Sequence, residues 1–193
     1  MSTRRGERRE EILRVLARLL EESRPVRITT AMLALELGVS EAALYRHFAS
    51  KAQMFEGLIE FIELTLFGLI NRLEMEEPSA ALRVEKMLSL LLGFAQKNPG
   101  MTRVLTGEAL INEDPRLQRR IDQLHDRIET TLKQALRFAV GEEHGPEDID
   151  VAANANIMMC YVVGRWHQFV RSGFRRKPLE YWEAQRRELR VQA

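Results

Sequence analysis

Two short helical patterns meet at Leu37-Gly38-Val39-Ser40, and no other stretch of this 193-residue chain restricts its fold as much. Before the junction, Met32, Leu33 and Leu37 fall at helical spacing behind Thr29 and Thr30. A hydroxyl at either threonine accepts a hydrogen bond from a free N–H of the first turn. Gly38 then supplies the residue that enters the left-handed region at a helix end without steric cost. Ser40 caps a following helix, predicted over Glu41 to Phe48. Such a short connection sets two helices at a steep angle. Leu33, Leu37, Val39, Leu44 and Phe48 then converge with Leu16, Leu19 and Leu20 of a preceding helix in one small core.

The opposite face of that third helix shows Glu41, Ala42, Ala43, Tyr45 and Arg46. Small residues permit close approach to base edges, and Tyr45 and Arg46 carry donors for phosphate or guanine. His47 and Lys51 extend the donor row. Thr29, Thr30 and Ser40 stand at helix N-termini, where free N–H groups and the helix dipole favour a phosphate. This is the geometry of a helix-turn-helix with its second helix in the major groove. A structural corner with a merely solvated polar face has the same spacing.

The rest of the chain also reads as helix. An amphipathic first helix is predicted over Glu7 to Ser23, stopped by Pro25. Ser50 caps a fourth helix carrying Met54, Leu58, Ile59, Ile62, Leu66 and Ile70, which runs to Glu76–Pro78. A fifth covers Ala80 to Lys97. Asn98-Pro99-Gly100 reads as a turn, followed by a helix from Thr102 to Ile111. Pro115 opens the next, with a seam of Leu117, Ile121, Leu124, Ile128, Thr131, Ala135 and Phe138. After a loop at Gly141 to Pro146, a broad apolar helix spans Asp148 to Ser172, and Pro178 opens the last. No strand-like alternation interrupts this. The expectation is an all-α chain with a three-helix module, residues 6–66, and a helical body, residues 67–193.

Composition narrows the function classes. The chain has a formal net charge of +1 and one cysteine, which excludes an internal disulfide. Cys160 reads as a small buried hydrophobe among methionines and valines. Ten Lys/Arg and seven Glu lie in the first 53 residues, a local excess of +3 that permits phosphate binding. No signal-peptide pattern and no membrane-spanning run is present, so a cytoplasmic location is expected. There is no nucleophile elbow, phosphate-binding glycine loop or H-E-x-x-H. His47, His125, His144 and His167 are scattered without metal-ligand spacing. Neither an enzyme nor a cofactor is expected.

GVSEAALYRHFASKAQMF, residues 38–55, resembles the recognition-helix signature of the TetR family of bacterial DNA-binding proteins. The resemblance implies an all-α homodimer of about nine helices that binds double-stranded DNA, with helices near the C-terminus forming a four-helix bundle between subunits. RREEIL, RITTAMLA, MFEGLIEFIE, LLLGFAQKNPGMTRVLTGEAL and FVRSGF, spread from Arg8 to Phe174, narrow it to the nucleoid occlusion branch of that family. That branch implies palindromic chromosomal sites, association with the nucleoid, and a DNA-activated attack on polymers of the tubulin-like division protein FtsZ. By the same resemblance FtsZ meets a surface of the fourth and fifth helices, carried here by Phe61, Gly93, Lys97, Asn98 and Thr102. Leu69 stands where the branch implies a base.

The residues themselves leave two choices open. Ala155, Met159, Val162, Trp166, Phe169 and Val170 form a wide apolar arc, read as the dimer interface with core of the same chain as the alternative. The body serves either a protein partner or, in a repressor, a small ligand. A ligand sensor needs polar groups in its interior, and Asn154 and Asn156 are the main candidates.

Overall fold

The computed structural model describes residues 2–22, 28–142 and 149–189, with side chains from Gly6 onward. Among these residues there are nine α-helices and no strand. They are α1 (Ser2–Glu22), α2 (Thr30–Glu36), α3 (Glu41–Tyr45), α4 (Lys51–Glu76), α5 (Ala80–Lys97), α6 (Pro99–Leu105), α7 (Pro115–Val140), α8 (Val151–Arg171) and α9 (Trp182–Glu188). A 3₁₀ turn at Glu108–Leu110 separates α6 from α7. Pro25, Pro146 and Asp148, which the sequence assigned to helix ends and a loop, lie outside the described residues, as does His144.

The chain divides into two compact units. One holds residues 1–62 and 98–121; the other holds 63–97 and 122–193. In the first, Ile12, Leu16, Leu33, Leu44, Phe48, Met54, Phe55 and Leu58 are buried. The α2–α3 connection closes as a Schellman motif: Gly38 N donates to Leu35 O (3.1 Å) and Val39 N to Ala34 O (3.0 Å). Gly38 sits at φ +64°, which explains glycine there.

Asn98-Pro99-Gly100 is not a turn. Pro99 is the first residue of α6, where its missing N–H would have had no helical partner. Gly100 and Met101 follow in the same helix, both buried. α6 packs on α1 within this unit.

In the second unit α5 packs on α8. Trp166, fully buried, donates its indole N–H to the Leu91 carbonyl (3.2 Å). Arg165 is also buried and donates to the carbonyls of Lys177, Pro178 and Glu180, fastening the segment that leads to α9. That segment delays the last helix: Pro178 lies in turns, and α9 begins only at Trp182.

The α7 seam departs from expectation at its end. Leu132, Leu136 and Ala139 are buried where Thr131 and Phe138 had been placed, and Phe138 is 66% exposed. The predicted 3.5-residue spacing drifts off a 3.6-residue helix over this length.

The residues assigned to the dimer interface need correcting. Ala155, Met159, Val162, Trp166, Phe169 and Val170 are all buried within the single chain. Cys160, expected to be buried, is exposed on the other side of α8.

Candidate nucleic-acid interface

α3 is only five residues long, and one side chain, Leu44, anchors it in the core. Its start is fixed by Ser40, whose hydroxyl accepts from Ala43 N (3.3 Å). Thr29 plays the same part for α2, accepting from Met32 N (3.2 Å). α4 opens with Ser50 accepting from Gln53 N (3.1 Å), while the Gln53 side chain accepts from Ala49 N (2.9 Å). These reciprocal bonds resemble a capping box. Three helix starts therefore hold the donor residues of this unit in defined places.

Thr29, Ser40, Glu41, Ala42, Tyr45 and Arg46 are exposed, whereas Thr30, Ala43, His47 and Lys51 are half-buried. Tyr45 is 45% exposed although aromatic, so its ring leaves the core for solvent. Arg46 is exposed and makes no ion pair among the described residues. The face that results offers small residues and donors side by side, as groove recognition requires.

Two expected donors are engaged within the chain. Thr30 donates its hydroxyl to Glu41 Oε2 (2.5 Å), tying the starts of α2 and α3 together. Lys51 pairs with the Glu113 carboxylate. The sequence could not announce this second pair, since its partners are 62 residues apart.

Arg9 was also missed. Its guanidinium donates to the His47 carbonyl (2.6 Å) and lies 4.2 Å from the Phe48 ring centroid. A cation at the carbonyl end of a short helix complements its dipole. The position showed in the sequence only as one base in a basic run.

The residues carried over for a protein partner are distributed as follows. Phe61, Asn98 and Thr102 belong to the first unit, and Gly93 and Lys97 to the second. Phe61 is 41% exposed, Lys97 is exposed, and Gly93 and Asn98 are half-buried. Thr102 is wholly buried, and its hydroxyl donates to the Asn98 carbonyl (2.9 Å). Its side chain is thus interior structure, not contact surface. A Cβ on Gly93 would meet only Leu179 Cδ1, at 3.8 Å, so packing in this chain does not require glycine there.

Neither asparagine proposed as an interior polar group lines the core. Asn156 is exposed and donates to Glu129 Oε2 (3.2 Å), and Asn154 donates to the Asp150 carbonyl (3.0 Å). Among the described residues no group of His, Cys, Asp or Glu is placed to hold a metal ion, and no helix is long and apolar enough to cross a membrane.

Comparison with known proteins gives a consistent pattern. A family model described as bacterial regulatory proteins, tetR family, matches residues 12–58. A second, SlmA-like and described as a tetracyclin repressor-like C-terminal domain, matches residues 79–193. The nucleoid occlusion factor SlmA of Alteromonas mediterranea is 53% identical over 184 residues, covering 95% of this chain and 94% of that protein. The SlmA of a Marinomonas species is 51% identical over 185 residues, covering 96% and 94%. Among solved structures, a TetR transcription regulator from Haloarcula marismortui superposes with a TM-score of 0.79 at 19% identity, covering 95% of this chain and 96% of that one. The fatty acid degradation regulator FadR of Bacillus halodurans gives 0.77 at 11% identity, covering 94% and 93%. At these identities the structural likeness speaks to the fold alone.

Proposed function

Because the chain belongs to the TetR family and, within it, to the SlmA-type nucleoid occlusion factors, we propose that it binds double-stranded DNA at palindromic chromosomal sites and there restrains assembly of the division protein FtsZ. The action is regulatory and not enzymatic, and its place in the cell is the nucleoid. The observation that carries the reading is the coincidence of two things in one chain. α3 turns Ala42, Tyr45 and Arg46 outward from a single buried leucine, and about half of all residues are shared with SlmA over nearly the whole length. The first unit carries the DNA-facing helices α2 and α3. The identity extends through the second, where a partner-directed role fits.

The dimer uses the outer faces of α7 and α8. Ala153, Ile157, Cys160 and Gly164 form an exposed row on α8 at spacings of four, three and four residues. Such a row lies along one side of a helix. Ile157 is 56% exposed, and a Cβ on Gly164 would meet nothing within 4 Å. Exposed isoleucine beside a glycine that the single chain does not need fits close helix packing against a second copy. Palindromic sites follow from the twofold symmetry of such a dimer.

FtsZ is the partner in this reading; of the residues proposed for it, Phe61 and Lys97 are exposed and Gly93 and Asn98 half-buried, each within its own unit. Asn156 is exposed and the half-buried Asn154 is engaged with the Asp150 carbonyl, which weighs against a ligand-gated repressor, since that needs polar groups inside. The test is microscopy of cells in which chromosome segregation is blocked. Removing the gene should let FtsZ rings form over unsegregated nucleoids, and restoring it should clear them. Rings that avoid the nucleoid equally in both strains would defeat the proposal.

A further inference from the structure

In the DNA-binding unit the Lys51–Glu113 pair is mostly buried on both sides, unlike Arg14–Glu10 and Arg18–Glu36. Arg14–Glu10 and Arg18–Glu36 are open to water, their side chains 71% and 68%, and 51% and 41%, exposed. Exposed pairs of that kind hold weakly, are screened by salt and exchange readily for a phosphate. Lys51 and Glu113 are 21% and 8% exposed. The Phe55 ring lies 5.6 Å from the same ammonium and closes another side of it. Glu113 is itself placed by the tight turn before α7, where its N–H donates to the Leu110 carbonyl (3.0 Å).

Lys51 is the first residue of α4, directly behind the Ser50 cap. A helix start with a lysine is a natural phosphate site. Taking the lysine away from Glu113 would separate a mostly buried carboxylate from a cation it pairs with, which costs more than parting two hydrated groups. Hydrated pairs give up their arginines at no such cost.

From this geometry we infer that Glu113 is a competitor built into the DNA-binding unit: its carboxylate occupies the Lys51 ammonium that a DNA phosphate would otherwise take. The inference rests on the DNA-binding reading above. Sequence-independent affinity comes almost wholly from phosphate neutralisation. Withholding one cation therefore lowers binding to arbitrary DNA while leaving the base-facing residues of α3 untouched. A phosphate contact acts about uniformly across sequences, so affinity for a cognate site falls with it and the contrast between the two is little changed. The device is also a lever, because a displacement of the turn at residues 111–114 would free Lys51 and tighten binding.

The test is the salt dependence of binding to a short random-sequence duplex, measured on the full-length chain. Glu113→Gln should steepen the plot of log affinity against log salt by about 0.9 and tighten binding about five- to tenfold near 0.1 M salt, the effect of one added phosphate contact. Adding Lys51→Gln to Glu113→Gln should cancel the gain. Glu113→Met serves as the uncharged variant should Glu113→Gln not fold. An unchanged slope in the uncharged variant would overturn the inference. So would a gain that survives loss of Lys51, since Glu113 would then act by repelling DNA directly. A wild-type chain that shows no salt-dependent binding sinks the DNA-binding reading instead.

Discussion

Gly100 of α6 lies so close to Ala17 of α1 that a Cβ on the glycine would stand 1.9 Å from the Ala17 carbonyl oxygen. Two further backbone atoms, Ala17 C and Glu21 N, would be 2.9 and 3.0 Å away. The neighbours are main chain on a long helix and cannot swing aside. Gly100→Ala should therefore push α6 off α1 and cost at least about 2 kcal/mol, at the upper part of the usual range for overpacking. Urea unfolding measures it. A midpoint equal to wild type would mean the two helices are not packed this closely.

The face of α3 makes a sharper claim. Tyr45 and Arg46 are exposed and support little of the core, so their alanine variants should unfold within about 0.5 kcal/mol of wild type. Arg46→Ala should lose DNA affinity and reduce the salt slope by about 0.9 if the guanidinium meets a phosphate. If it reads guanine instead, the slope stays while discrimination at one base pair falls. Retained affinity and retained discrimination together would remove Arg46 from the interface.

Arg165 is expected to be the most sensitive polar residue of the second unit. Its guanidinium satisfies the carbonyls of Lys177, Pro178 and Glu180 and the side chain of Gln168. Arg165→Ala strands several of these acceptors, for a loss of about 3 kcal/mol. It should also open residues 172–181 to protease. Stability near wild type would show that water replaces the guanidinium freely.

The row on α8 separates dimerisation from folding. Ile157→Asp should leave a folded monomer, because the side chain is exposed in the single chain. Val162→Asp should unfold the protein, because Val162 is wholly buried. Sedimentation velocity and circular dichroism distinguish the two outcomes. An Ile157→Asp variant that remains a dimer would move the interface elsewhere.

Acid should loosen the junction between α7 and α5. Glu142 accepts from Ala80 N (2.5 Å) and Ala81 N (3.4 Å), and from the Ser79 hydroxyl. These bonds, chiefly the one from Ala80, hold its carboxyl below the ordinary value of 4.5. A carboxylate whose folded pKa is depressed stabilises fully above its unfolded pKa, and the benefit is lost as pH falls through the folded value. Asp114, lowered to about 2 by its bonds to Arg116, adds a loss at still lower pH. The urea midpoint should fall as pH drops below the ordinary carboxylate value of 4.5 and through the lowered folded value, and Glu142→Gln should show a smaller fall. Equal falls in both proteins would assign the acid sensitivity to other groups.

Local chemistry was legible in the sequence wherever a cap or turn residue acts on its own neighbours. Thr29, Gly38, Ser40 and Ser50 all sit where their types suggest, and α5 runs over the predicted span. Periodicity gave the buried side of α8 correctly but not what covers it. Trp166 could equally have met a second subunit, and only the Leu91 carbonyl shows that it turns into its own chain. Pro99-Gly100 misled because both residues are common in turns. Proline is equally at home in a first helical turn, and this glycine is demanded by Ala17 from more than eighty positions away. Lys51 failed in the same manner. Its type and place suited a phosphate, and only the fold brings Glu113 to it.

The most direct test of the whole account is co-sedimentation of FtsZ polymers with this protein, with and without a duplex selected by it from a random pool. The account predicts that pelleted FtsZ falls when the selected duplex is present, and that Phe61→Ala or Lys97→Ala restores the pellet while DNA binding persists. FtsZ pelleting equally with and without protein and duplex would contradict it.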